Sequence, residues 1–162
     1  MTTITAPAET GHDHGRCVDG ALGRAEALCA SRGARLTAIR RQVLELVWSG
    51  HRPRGAYAIL DDMAVEGKRV APLTVYRALD FLVEQGLVHR IESLNAYIGC
   101  PDPDHAHPGQ FLVCRECGNA IELNDARVSA AIDACARDQG FTVDRTTVEV
   151  RGLCTTCRNS LA

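Results

Sequence analysis

No stretch of the chain is apolar for anything near the ~20 residues that a helix needs to cross a bilayer, which excludes a helical membrane span. The N-terminus lacks the basic and hydrophobic regions of a secretory signal, so the expected location is the cytoplasm. A strong charge of either sign is missing too. The net charge is −2 and the isoelectric point is near 6.3, which argues against a generic polyanion binder. There is no HExxH pair, no nucleophile constellation and no open three-ligand metal set, so an enzyme is not indicated. No internal repeat is visible beyond a pair of short cysteine motifs.

Cysteine, by contrast, is abundant. Eight cysteines in a chain of 162 residues without a secretion signal point to reduced thiols and metal rather than to disulfides. Four of them form two CxxC pairs, Cys114/Cys117 and Cys154/Cys157. Two such pairs complete a tetrahedral four-sulfur shell, the usual closed arrangement of a structural zinc, and leave no coordination position open for chemistry. The 36 residues between the pairs exceed the usual zinc-ribbon spacing. The competing chemistry is a pair of redox dithiols. That would want a CxxC at the start of a helix in a βαβ unit, whereas CRECG follows the strand-like FLV and leads into AIEL.

The small net charge hides an asymmetry. Residues 20–91 carry 11 positive and 7 negative side chains, and residues 92–162 carry 6 positive and 10 negative. Positive charge is densest over residues 32–54, with six arginines and one acid, Glu45. A basic first half suits a domain that meets phosphate, although a solvated helix face would have the same composition.

Residues 1–20 show no apolar periodicity and are expected to form a disordered arm, in which His12, His14 and Cys17 are incidental metal candidates. Four helical patterns follow. The first covers residues 21–32 on Leu22, Ala25 and Leu28/Cys29, with Gly33 as its stop. Thr37 should cap the second, whose stripe is Ile39, Val43 and Leu46/Val47, and the HRPRG stretch ends it. The third, residues 55–65, presents Ala56, Ile59, Leu60 and Met63. Pro72 opens the fourth, LTVYRALDFLVEQG, with Val75, Leu79 and Leu82/Val83 inward, Thr74, Arg77 and Phe81 facing elsewhere, and Gly86 closing it. The period then changes to two in LVHRIES and NAYIGC, a hairpin with its turn at residues 93–95.

Helices followed by a small hairpin describe a winged helix-turn-helix over residues 21–100, whose last helix before the wing enters the major groove. PDPDHAHPG (residues 101–109) is a hinge. Residues 110–162 then offer two strands, a helix near residues 125–138 with Val128, Ile132 and Cys135 inward, and a strand pair around FTVDRTTVEVRGLC. The fold class is therefore α+β, a winged-helix domain followed by a small α/β dimerisation domain with a structural zinc. So small a second domain has a marginal core and calls for a metal or a partner chain.

The run TVYRALDFLVEQGLVHRIES, then Cys100, CRECG and GLCTTC, resembles the ferric uptake regulator family of bacterial metal-sensing repressors, most of all its zinc uptake regulator subgroup. The likeness spans residues 21–158. It implies a cytoplasmic homodimer that binds double-stranded operator DNA when loaded with metal, and represses zinc uptake and homeostasis genes. It implies two Zn(2+) per subunit, one structural. Two features depart from the family pattern: Thr37-Ala38 stands where Thr-Pro is usual, and the His-rich stretch of iron-responsive members is reduced to DHAHPG.

The zinc-sensing pattern lands on His89, Cys100, His107 and Glu122. Independently of the family, two imidazoles, a thiolate and a carboxylate make a reasonable four-coordinate zinc shell. Alone, His89 would read as a wing residue, Cys100 as a small buried hydrophobe and Glu122 as a strand carboxylate. His105 is a further candidate, in place of His107, at a third site in the hinge, or with no metal role, and the same three readings hold for Asp102 and Asp104. Cys29 and Cys135 lie on apolar faces and receive no metal role. For DNA, Arg77 can bridge the N7 and O6 acceptors of guanine, and Tyr57 follows from the resemblance. Thr74 and Tyr76 suit phosphate or thymine-methyl contacts, with partial burial beneath the wing as the other reading of Tyr76. Rival functions are an iron, manganese or peroxide sensor of the same fold, which would usually lack the Cys100 thiolate, and a zinc-ribbon adaptor for protein contacts.

Overall fold

The computed structural model describes residues 3–4, 14–50, 52–65, 70–105 and 107–160. Along the chain these form β1 (Thr3–Ile4), α1 (His14–Ser31), α2 (Ala38–Trp48), β2 (Arg54–Gly55), α3 (Ala56–Val65), α4 (Pro72–Glu84), β3 (Val88–Ile91) and β4 (Ala96–Gly99). Then come β5 (Gly109–Cys114), β6 (Ala120–Asn124), α5 (Ala126–Asp138), β7 (Thr147–Gly152) and α6 (Thr155–Ser160). Two compact units result, Ala8–Ala106 and His107–Ala162, the second including the N-terminal Met1–Pro7.

In the first unit the apolar stripes of four helices meet. Leu22, Ala25 and Cys29 of α1, Val43, Leu44 and Val47 of α2, Ile59 and Met63 of α3, and Val75, Leu79 and Leu82 of α4 form one buried core. Those positions recur at the three- and four-residue intervals that place side chains on one helix face. The Thr37 side chain caps α2 by accepting from the Arg40 N–H, and Pro72 occupies the first turn of α4, where a missing N–H costs nothing. Helix α1 begins at His14, so residues 14–20 are helical rather than part of an arm. The reason is packing: Val18 continues the stripe one turn upstream and lies against the core. Residues 5–13, with His12, lie outside the described residues, as does the side chain of His14.

Gly86 ends α4 in a left-handed conformation (φ +69°), with its N–H on the Val83 carbonyl and that of Leu87 on Leu82. This cap satisfies terminal carbonyls and turns the chain directly into the wing. β3 and β4 pair antiparallel with Val88 opposite Gly99 and Ile91 opposite Ala96, joined by one 3₁₀ turn and left-handed Asn95. The HRPRG stretch does more than end α2. Its Arg54–Gly55 pairs with Tyr97–Ala96 as β2, giving the sheet order β2-β4-β3. A Cβ on Gly99 would lie 2.2 Å from the Trp48 indole, so glycine is required where α2 touches the wing. Phe81 does not simply face away. It is half-buried against the core, and the Arg40 guanidinium lies 3.5 Å from its ring centroid.

The second unit is a four-stranded sheet of order β1-β6-β5-β7. β5 and β6 run antiparallel across the CRECG turn, while β5 and β7 run parallel with Cys114 opposite Gly152. The parallel pair needs a crossover, and β6 with α5 supplies it. Asp125 caps α5, accepting from the Arg127 N–H and its guanidinium. Only one strand forms in the FTVDRTTVEVRGLC stretch, since Phe141 to Val143 stand outside the sheet. Cys135 is exposed rather than inward. The half-buried face of α5 runs through Val128, Ser129, Ile132, Asp133 and Ala136, rotated by about a quarter turn from Cys135. Ser129 belongs to that face because it receives the side-chain amide of buried Gln110 at 2.7 Å.

Candidate metal centres and nucleic-acid face

The parallel pairing of β5 and β7 creates the first centre. Both strands end on the same side of the sheet, so the turn after Cys114 and the segment entering α6 become neighbours. Arg115 N–H bonds the Gly152 carbonyl at 2.9 Å and fixes that proximity. The turn itself is closed by Gly118 N–H on the Cys114 carbonyl and by Cys114 N–H on Asn119. Cys114, Cys117, Cys154 and Cys157 thereby bring four sulfur atoms within 4.8 Å of one another. The spacing of 36 residues is thus the length of one crossover. The second CxxC does open a helix, but α6 has six residues and its thiols share one cluster with the first pair, not a separate dithiol.

The cluster is electrostatically prepared for a cation. N–H groups of Cys117 and Cys154 direct their dipoles at the Cys114 sulfur and pull its thiol down to about 6. Hydrogen bonds from Cys157 to the sulfurs of Cys154 and Cys117 push the Cys157 thiol up to about 12, because its ionisation would crowd negative charge. Metal–sulfur bonds of about 2.3 Å in a tetrahedron require sulfurs about 3.8 Å apart. The Cys117 and Cys154 sulfurs are 3.8 Å apart. The residues fit zinc.

Each unit also holds one pair of further donors. In the second unit, His107 Nε2 and Glu122 Oε1 lie 2.7 Å apart, with side chains 9% and 8% exposed. Glu122 comes from β6 opposite Phe111, and His107 stands just before β5. In the first unit, His89 on β3 and Cys100 after β4 bring donor atoms within 4.8 Å of each other. Cys100 N–H bonds the Leu87 carbonyl at 3.0 Å, adding one rung beyond the wing's ladder and holding the buried thiol at its root. His105 joins neither pair. It is exposed and bonds Asp102 at 3.1 Å, a contact that raises its pKa. Cys17 is half-buried on α1, and Cys29 is part of the core.

The third feature is an exposed face on the first unit. Thr74 and Arg77 project from α4 on the side opposite Val75, Leu79 and Leu82. Tyr57, 69% exposed, stands in the first turn of α3, and Leu73 is similarly open. Tyr76 is half-buried against the core. The sequence left three positions unremarked: Trp48 against Gly99, Gln110 beneath α5, and Arg32, which reaches two carbonyls from the end of α1. Only the first had a signal, a glycine within a strand pattern.

Among the described residues, no helix is long and apolar enough to cross a membrane. The ferric uptake regulator family model matches residues 31–151. The zinc uptake regulation protein of Escherichia coli (strain K12) is 38% identical over 137 residues, covering 84% of this chain and 80% of that protein. A zinc uptake regulator solved in complex with zinc and DNA superposes with a TM-score of 0.85 at 36% identity, covering 89% of this chain and 97% of that one. The crystal structure of holo XcZur gives 0.80 at 41% identity, covering 87% and 99%.

Proposed function

The chain belongs to the ferric uptake regulator family, in its zinc uptake regulator branch, and from that premise we propose that it is a zinc-responsive transcriptional repressor that binds operator DNA as a homodimer. The observation that carries the reading is the donor chemistry. A closed four-sulfur cluster is accompanied by two preformed pairs, His89 with Cys100 and His107 with Glu122. On this reading each subunit takes two zinc ions. Cys114, Cys117, Cys154 and Cys157 hold the structural one; His89, Cys100, His107 and Glu122 together hold the regulatory one. The Cys100 thiolate favours zinc over the N/O environment preferred by ferrous iron or manganese. The His107–Glu122 contact supports this, because it already brings an imidazole nitrogen and a carboxylate oxygen, two zinc-ligand types, together in a buried setting.

A bound cation supplies a cross-link between donors that the chain otherwise leaves in separate units. α4 carries the reading side chains: Arg77 toward guanine, Thr74 and Tyr76 toward phosphate or thymine methyl, with Tyr57 contributing from α3. Two copies engage two half-sites only when their α4 helices match the groove spacing of the duplex. The homodimer draws support from the second unit. Leu112 and Val150 are register partners on one exposed sheet face, β7 is an edge strand and Phe141 is open, so apolar surface stands ready for a second copy.

Elemental analysis after mild chelation, run beside operator affinity by fluorescence anisotropy, tests the reading. One zinc per chain should survive and a second should leave with DNA binding. Cys100→Ser combined with His89→Ala should retain the first zinc and lose the zinc-dependent gain. Full, discriminating operator binding by that variant without free zinc would end the proposal.

A further inference from the structure

Arg32 lies one residue beyond α1, and the chain between it and the wing holds three further helices. Its guanidinium nonetheless bonds two carbonyls distant in sequence: Nη1 donates to Gln85 at 2.5 Å and Nη2 to Pro103 at 3.4 Å. Gln85 is the C-terminal cap of α4, where helix carbonyls lack partners and carry partial negative charge. Pro103 is a buried residue of the segment that follows Cys100. Between these two carbonyls run the Gly86 turn, the whole wing and the Leu87–Cys100 rung. One planar fork therefore closes the root of the wing just outside its last backbone rung. The two donors it encloses are His89 and Cys100.

We propose that Arg32 is a positioning residue that couples metal capture at the wing to the recognition helix. It does so by clamping the exit of the wing at Pro103 to the end of α4 at Gln85. The inference rests on the zinc-responsive reading and deepens it. With the clamp in place, a constraint imposed on His89 and Cys100 is passed to α4. Without it, the wing root yields and α4 no longer senses the constraint.

The experiment uses the full chain, with Arg32→Ala and Arg32→Lys beside the natural sequence. Operator affinity is measured by anisotropy with zinc and with a chelator that spares the structural ion, and zinc per chain is counted in both states. The natural chain should show a zinc-dependent gain within the roughly 5–150-fold span usual for coupled sites. Arg32→Ala should keep both zinc ions and the metal-free DNA affinity, while that gain shrinks about tenfold or to nothing. Arg32→Lys should resemble Ala, because a single ammonium lacks the planar pair of N–H groups that spans both carbonyls. An unchanged gain in Arg32→Ala would overturn the proposal. So would equal loss of affinity with and without zinc, rescued by lysine, which would mark a phosphate contact instead. A natural chain with no zinc-dependent gain would remove the functional reading itself, and this inference with it.

Discussion

The two units solve the problem of stability differently. The first closes its own core: side chains of all four helices, the wing and Tyr97 are buried together, and every helix contributes at helical spacing. In the second, α5 has no fully buried residue, β7 is an edge, and Val150 is 52% exposed. Its buried set is short, with Phe111, Val113 and Ala120 beside polar Gln110, Glu122 and Asp125. The first unit has a buried apolar core large enough to stand on hydrophobic burial. A sheet this small, with α5 and the six-residue α6, has too little buried apolar surface for that, which is the situation in which metal bonds or a second copy supply the remainder.

The largest effect should come from breaking the second unit. Cys117→Ser together with Cys154→Ser removes two of four sulfurs, and zinc binding in such sites contributes on the order of 10 kcal/mol to folding. Limited proteolysis should then degrade residues beyond about 107, while residues 14–105 persist as a resistant fragment with a cooperative melt. Simultaneous loss of both units would show that the first is not self-supporting. Next in size, Leu79→Ala opens a cavity in the fully buried first core and should cost about 2–5 kcal/mol there. Its thermal transition should fall, with the structural zinc still held after chelation. A zinc-release profile that shifts with the same mutation would contradict independent stabilities. Smallest is Arg77→Ala, on an exposed face with no core role. Operator preference should drop by roughly 1–3 kcal/mol, with both metals and both melts unchanged. An equal loss on random DNA would make Arg77 a phosphate contact.

Much of the first unit was legible because its signals are local. Val75, Leu79 and Leu82 repeat at the helical period, Thr37 and Pro72 mark helix starts, and Gly86 marks an end; each shows within a few residues. Misreadings arose where packing overrode such signals. Polar residues 14–20 join α1 because Val18 reaches a core built from distant segments. Cys135, on the apparent stripe of α5, turns outward because Gln110 draws Ser129 toward the sheet. Arg32 looked like one more charge in a basic run. Its role depends on carbonyls 53 and 71 residues away, which no local pattern encodes.

The amino-acid order alone determined which atoms are available: eight thiols, four of them in CxxC spacing, a His/Cys/Glu set suited to zinc, and the periodicities that make four helices and a wing. Those properties depend on side-chain chemistry and on neighbours within one or two turns. Tertiary structure decided which of these atoms meet. Parallel pairing of β5 with β7 gathers the two CxxC motifs into one cluster, and adjacent strands set His107 against Glu122. Such meetings depend on how the whole chain closes on itself, since the entropy of bringing distant segments together is repaid only by contacts that local sequence does not specify.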